Sequence, residues 1–201
     1  MKTILLALFL ALCTVFVNAQ EENSTKKIET NLGFWLGTNY TILQSKMGEP
    51  TGIDFDNGFS FTLGLLADFR LGKHFSLSPK AGLAFYDADV YKVSNFEATL
   101  LGEAFPMAIE FACHFNFRSS EKENNFYFVA GPSYRKNLEN NSIAFENHDF
   151  TIDFGIGMER KNQDFIFSPE LKYSVGLRDI NRSFQLNDLY FNTVSLILGF
   201  K

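Results

Sequence analysis

The segment FPMAIEFACHFNF, residues 105–117, decides how the chain is read, because its odd positions are all apolar: Phe105, Met107, Ile109, Phe111, Cys113, Phe115 and Phe117. The even positions are Pro106, Ala108, Glu110, Ala112, His114 and Asn116. A helix of 3.6 residues per turn would scatter the odd positions around its circumference, whereas a strand puts them all on one side. The segment is therefore a strand with one greasy face. A tilted strand needs roughly 9–11 residues to cross a bilayer, more than most strands of soluble domains possess. Residues 105–117 meet that length and read as one stave of a transmembrane barrel.

The same alternation recurs on both sides of it. Upstream, residues 33–43 place Phe34, Leu36, Tyr40 and Ile42 on an apolar face, and residues 59–70 do so with Phe59, Phe61, Leu63, Leu65, Ala67 and Phe69. A third strand, 75–86, shows Phe75, Leu77, Ala81, Leu83 and Phe85. Downstream come 126–133, a strand carrying Phe150, Ile152, Phe154, Ile156 and Met158, then 165–178 with Phe165, Phe167, Leu171 and Tyr173, and finally 190–201 with Val194, Leu196, Leu198 and Phe200. The fold class expected is all-β, an eight-stranded antiparallel up-and-down transmembrane β-barrel spanning residues 33–201.

Three regularities support that count. Connections alternate long and short, as extended outer loops and tight periplasmic turns require, although residues 118–125 make a rather long turn. Gly37, Gly64, Gly82, Gly131, Gly155, Gly157, Gly176 and Gly199 fall on the face opposite the apolar one, where small residues let a narrow barrel curve and leave room for large side chains across it. Aromatic residues recur near strand ends, including Phe69, Phe75, Phe117, Phe126, Phe165 and Phe200, in the manner of an interfacial girdle. A soluble barrel of the lipocalin kind, a ligand carrier with its apolar face inward, would leave the glycines on the solvent face and the girdle unexplained.

Lys2, the apolar run from Ile4 to Val17 and the small-residue site Asn18-Ala19-Gln20 have the form of a cleaved export signal. The run is shorter than the roughly 20 residues of a spanning helix, and Leu12 before Cys13 argues against a lipoprotein signal. Residues 1–19 are thus expected to be a signal peptide, 20–32 a polar periplasmic lead-in, and the mature chain to begin at Gln20 in the cell outer membrane. Cys113 is then the one cysteine left, so no internal disulfide holds the domain.

Composition agrees. Apolar residues make up 46% of the chain, with 24 Phe among 201 residues, yet mean hydropathy is only −0.05, which alternating lipid-facing strands reconcile. A net charge of −5 gives no case for nucleic acid. Partners expected are outer-membrane lipid and the outer-membrane barrel assembly machinery.

With the apolar face toward lipid, the lumen receives Asp68, Arg70, Lys80, Glu110, His114, Asp153, Glu159, Glu170, Lys172 and Arg178. An eight-stranded barrel has an interior just filled by side chains, so these are expected to pair with one another instead of lining a pore. Glu110 and His114, four apart on one face, could be read as a metal or proton site, but charges in a closed lumen need partners whatever the function. Ser133, His148 and Asp149 near the outer end are candidates for a lipid-modifying enzyme, whereas His74 lies in a turn at the other end. Gly155-Ile156-Gly157 lies within a strand and opens no helix, so it is a curvature device. No spacing resembles a hydrolase elbow, a metal cluster or a phosphate-cradling loop, so the expectation is a non-enzymatic protein with no catalytic, cofactor-binding or metal residues. Pro169 lacks an amide donor and is expected to interrupt the ladder with a bulge or bend beside Glu170.

The segment FSPELKYSVGLRDI, Phe167 to Ile180, with Gly131-Pro132 in FVAGPSY, the closing NTVSLILGFK and the strand FPMAIEFACHF, resembles the PorT family of outer-membrane β-barrel proteins. The resemblance covers about Gly33 to Lys201. It implies a role as an accessory component of protein export by the type IX secretion system, with secretion-system proteins as partners. The alternative expectation is a structural or surface-interaction barrel with no part in secretion.

Overall fold

The computed structural model describes residues 28–48, 52–94, 97–119, 124–139, 145–182 and 188–201. The expected signal peptide and residues 20–27 of the lead-in lie outside the described residues. The chain forms strands β1 (Glu29–Gln44), β2 (Ile53–Asn57), β3 (Phe59–Arg70), β4 (Phe75–Phe85), β5 (Ala88–Ser94), β6 (Glu97–Glu103), β7 (Met107–Arg118), β8 (Asn124–Asn137), β9 (His148–Lys161), β10 (Ile166–Gly176) and β11 (Tyr190–Phe200). Eight of them close into a barrel in the order β1-β11-β10-β9-β8-β7-β4-β3. Every neighbouring pair is antiparallel, and β1 joins β11 from Phe34 opposite Phe200 to Gln44 opposite Tyr190.

The faces are arranged as the alternation demands. Phe34, Phe61, Leu65, Phe115, Phe154 and Leu171 are among the large apolar side chains left on the outside, while Asp68, Ser78, His114, Asn116, Asp153 and Glu159 are buried within. A soluble ligand carrier requires the reverse. Aromatic belts ring both rims. Toward the short turns, Phe200 packs against Phe34 at 5.1 Å and Phe167 at 5.3 Å, and Phe75 against Phe117 at 5.1 Å. Toward the long connections, Tyr40 meets Phe59 at 5.1 Å and Tyr134 meets Phe150 at 5.0 Å.

Several boundaries differ from the sequence reading. β1 begins at Glu29, inside the expected lead-in, because residues 29–32 continue the ladder to β3 with Glu29 opposite Arg70. The stave that opened the reading runs from Met107 to Arg118, so Phe105 is no lipid-facing residue. It sits just before Pro106 with φ +57°, a left-handed conformation uncommon for a non-glycine residue, and its ring is buried against Phe191 at 5.4 Å. β8 runs further toward the loop end than expected, reaching Asn137.

The first two long connections are not plain loops. β2, β5 and β6 form a separate three-stranded antiparallel sheet at the loop end, with a bulge between Val90 and Tyr91. Ile53, Phe55 and Leu101 of that sheet pack on a buried cluster that includes Leu43, Tyr86, Val90, Phe105, Phe145, Ile180, Leu189 and Phe191. The long connections therefore fold inward as a roof. Their ties are polar as well as apolar, since Asp188 accepts bonds from the Ser45 hydroxyl at 2.5 Å and the Lys46 amide at 3.1 Å.

Prolines leave gaps without shifting the register. Around Pro79 the β3–β4 pairs stop at Leu66 opposite Lys80 and resume at Phe69 opposite Leu77, and Pro132 does the same between β7 and β8. Pro169 likewise interrupts β9–β10, where Phe167 opposite Arg160 is followed by Glu170 opposite Gly157, while β10–β11 pairs straight through it. The interruption expected there is present and the bulge is not. A missing donor removes ladder bonds on one side only, so the ladder to the other neighbour keeps the register.

Two glycine positions make room for large rings in the lumen. A Cβ on Gly82 would lie 2.6 Å from the Trp35 ring, and one on Gly157 would lie 2.2 Å from the Tyr127 ring. Both rings are buried. Replacing Gly157 by Val is expected to destabilise the folded barrel by about 1–3 kcal/mol through overpacking against Tyr127. The measurement is the midpoint of urea unfolding in lipid vesicles, followed by the gel shift of the heat-modifiable form.

Candidate functional site

The lumen is the place where chemistry would be sought, and its side chains fall into three levels. At the turn end, Arg118 donates to Asp68 at 2.8 Å, to both oxygens of Glu159 at 2.8 and 2.9 Å, and to the Ser76 hydroxyl at 2.6 Å. Ser76 and Ser78 each donate to Asp68 at 2.6 Å, and Lys201 reaches Glu159 at 2.7 Å. Arg70 lies at the mouth, half-exposed, against Glu29 and Glu159.

In the middle, Lys80 holds Glu170 at 2.9 Å, and Asp153 receives both Lys172 at 2.8 Å and His114 Nε2 at 2.9 Å. Because a carboxylate can only accept, Nε2 carries the proton in that pair. Nδ1 has no partner among the described residues, and His114 lines a cavity of about 20 Å³, room for about one water. A second cavity, about 10 Å³, lies beside Tyr127 and Glu170.

Toward the roof, Glu110 accepts from the Tyr86 hydroxyl and from Arg135 Nε at 3.0 Å. The Arg135 guanidinium also lies 4.7 Å from the Tyr86 ring centre and 4.4 Å from that of Phe191, with Asp149 at 3.6 Å. Arg135 thus joins the polar lumen to the apolar roof, its charge satisfied on one side and its flat face stacked on rings on the other.

The lumenal residues expected from sequence are brought together, with two exceptions: Arg70 sits at the mouth, and Arg178 sits above the lumen, where it bonds His148 and Glu146. Glu110 and His114 share a face but serve different partners, Arg135 and Asp153, so they do not converge on one ligand. Ser133 shares a hydrogen bond with Thr151, Asp149 is buried inside, and the neighbouring His148 stands on the outer surface near the Tyr134 and Phe150 rings. Adjacent strand residues point to opposite faces, so these three do not form a catalytic constellation. His74 contacts the Arg118 carbonyl at the turn end.

Arg118, Arg135 and Lys201 were not among the expected lumenal residues. Each continues the inward period of its strand: His114, Asn116, Arg118 on β7 and Gly131, Ser133, Arg135 on β8, with Lys201 following outward Phe200. Extending the alternation past the apolar stretch would have found all three.

A closed antiparallel barrel, apolar outside and filled inside with ion pairs, defines an integral membrane protein of the β-barrel class. The chain belongs to the outer membrane protein β-barrel domain family, whose model matches residues 6–201. Its fold is shared with the outer membrane protein OprG of Pseudomonas aeruginosa, at 11% identity and TM-score 0.50, covering 85% of this chain and 92% of that one. It is similar also to Neisserial surface protein A, at 8% identity and TM-score 0.52, covering 85% of this chain and 97% of that one. A comparison with curated proteins finds no sequence match.

Replacing Arg118 by Met leaves the buried Asp68 carboxylate with Lys201, and that of Glu159 with Lys201 and the half-exposed Arg70, and is expected to cost about 3–5 kcal/mol. Adding Glu159→Gln should recover part of that loss, as read by a double-mutant cycle of unfolding free energies. At the roof, bonds from Ser45 first, then from the Met47 and Lys46 amides, hold the Asp188 carboxyl below the usual carboxylate range. A lowered folded pKa means that the tie is fully present at neutral pH and is lost as pH falls through that lowered range. Amide exchange of residues 45–47 should therefore accelerate below about pH 4, and Asp188→Asn should remove this pH dependence.

Proposed function

We propose that the protein is a closed, non-conducting and non-enzymatic outer-membrane barrel whose working surface is its folded loop end, acting as an accessory component of type IX protein secretion. The observation that carries the first part is the filled lumen. Its charges are spent on one another, its cavities hold about one water each, and an apolar roof covers the loop end. The separation of Ser133, His148 and Asp149 onto different faces supports the absence of lipid-modifying chemistry.

In this reading the chain is exported through a cleaved signal peptide, residues 1–19, and is inserted by the outer-membrane barrel assembly machinery. Both termini lie on the periplasmic side, and the long connections face outward, as is general for such barrels. The secretion role rests on the resemblance to the PorT family carried by FSPELKYSVGLRDI, FVAGPSY and NTVSLILGFK. Its partners would be secretion-system proteins. The second reading, a surface-interaction barrel with no part in export, is favoured by the roof sheet, which turns Asp54, Asp56 and Glu103 to solvent.

Two measurements test these readings. Purified protein in planar bilayers should give no steady conductance, and deletion of Tyr86–Pro106 or an Arg135→Ala change should be needed before current appears. In the host, loss of the gene should trap cargo bearing type IX sorting domains in the periplasm, with release restored on complementation. An unchanged secretome would leave the surface-interaction reading.

A further inference from the structure

The outward face of β9 reads His148, then Phe150, Ile152, Phe154, Ile156 and Met158, then Arg160. Five apolar positions are bracketed by basic side chains. From His148 to Arg160 is about 40 Å along a strand, or about 30 Å along the membrane normal at the usual tilt, which matches the hydrocarbon thickness of a bilayer. On the neighbouring β8 the outward series Phe126, Phe128, Ala130, Pro132 and Tyr134 ends at Lys136. Tyr134 lies opposite Phe150 and Lys136 opposite His148, so an aromatic row and a basic row are stacked one pleat apart. The basic row stands at headgroup height.

More cations gather behind it. Arg178 Nη1 contacts His148 Nε2, and because a guanidinium only donates, that nitrogen accepts and the imidazole proton sits on Nδ1. His148 thus offers an N–H donor there. Arg178 Nη2 also bonds Glu146 at 3.0 Å, and Arg182 Nε bonds the other oxygen of Glu146 at 2.8 Å. One carboxylate is shared by two guanidiniums, while Lys136 is exposed and has no ion pair among the described residues. The charged groups that act most strongly on His148 are Arg178, Glu146, Arg182 and Lys136, three bases and one acid. Asp179, next to Arg178, accepts from the Asn181 and Leu189 amides, so Glu146 is the acid that Arg178 and Arg182 share, and Lys136 adds a positive charge beside exposed aromatic surface.

We propose that Lys136, His148, Arg178 and Arg182 form a binding site for the phosphate of a lipid headgroup in the leaflet at the loop end. Guanidinium forks and a neutral N–H suit tetrahedral phosphate oxygens, and Lys136 supplies a point charge on a flexible stem. The occupant is a lipid because the site is continuous with the lipid-facing pair Tyr134 and Phe150. A phosphate carried on acyl chains arrives at this height with its chains laid on those rings. This site is independent of the secretion reading, since it needs only a barrel embedded in lipid.

The test is native mass spectrometry of the purified full-length protein in a neutral detergent, titrated with diphosphoryl lipid A, its dephosphorylated form and inorganic phosphate. The wild type is expected to retain the diphosphoryl lipid and to bind neither of the others comparably. Lys136→Gln should weaken retention about fivefold, and Lys136→Gln with Arg178→Gln and Arg182→Gln at least about tenfold. The control Arg160→Gln with Lys161→Gln, at the opposite rim, should leave it unchanged. Lys136 is exposed and has no ion pair among the described residues, so the single variant reports on binding without disturbing the roof, and the heat-modifiable gel shift verifies its fold. Equal retention by the single and triple variants, or equal binding of the dephosphorylated lipid, would overturn the proposal. Comparable affinity for inorganic phosphate would also overturn it, by making the site one for the free ion.

Discussion

The structure depends on the ladder that joins its first and last barrel strands, β1 to β11. In hydrocarbon no water can satisfy a free amide or carbonyl, so an open sheet edge is excluded and every strand must find two neighbours. The closing ladder runs without interruption from Phe34 opposite Phe200 to Gln44 opposite Tyr190. None of the three strand prolines lies on β1 or β11, and each, Pro79, Pro132 and Pro169, breaks only the ladder on one side of its own strand. Gaps are thus kept away from the seam that joins the two ends of the chain.

Closure dictates what the interior must contain. Eight strands enclose a space about as wide as side chains that meet across it, and alternation sends every second residue inward whether or not it is apolar. Membrane insertion requires the outer set to be apolar, which leaves the inner set to carry the polar content of the strands. Those polar groups are then buried as deeply as any core residue: Asp68, His114 and Asp153 are each wholly inaccessible. Burial without pairing would cost several kcal/mol per ion, so bases and acids occur on strands whose inward side chains can meet: Lys80 of β4 with Glu170 of β10 directly across the lumen, and Arg118 of β7 with Asp68 of β3 on the two sides of β4. Such pairs stabilise little over an apolar filling. Their physical value is that removing either partner is costly, which ties the barrel to one arrangement of strands.

The barrel was legible from sequence because its signal, a period of two sustained over ten residues, is produced directly by the lipid boundary. Phe111, Phe115, Leu65 and Phe154 are outside for the reason their spacing indicates. The same logic failed where the boundary ends. Arg118 and Arg135 lie on the inward period but beyond the last lipid-facing apolar residues expected of their strands, so they read as connection when they are lumen. Phe105 fails in the opposite sense, since it keeps the apolar period while Pro106 and a left-handed backbone turn it into the roof. The sheet of β2, β5 and β6 was hidden for another reason. Its strands are short, and Asp54, Asp56 and Asp89 interrupt them with residues that ordinarily mark turns.

Charge is distributed unevenly around the loop end, and this follows from what each sector touches. In the roof sheet at the loop end, Asp56 opposite Asp89 and Asp89 opposite Glu103 place like charges side by side, an arrangement water tolerates through screening. The β8–β9 sector stays at the barrel wall, and there the row above Tyr134 and Phe150 is basic. Acidic side chains at that level would meet the phosphates of a leaflet and be repelled, whereas Lys136 and Arg178 would be attracted to them. With the lipid site proposed above, the two sectors would fix the height of the barrel in the membrane from opposite directions, the basic row drawn to the headgroup phosphates and the acidic sheet repelled by them.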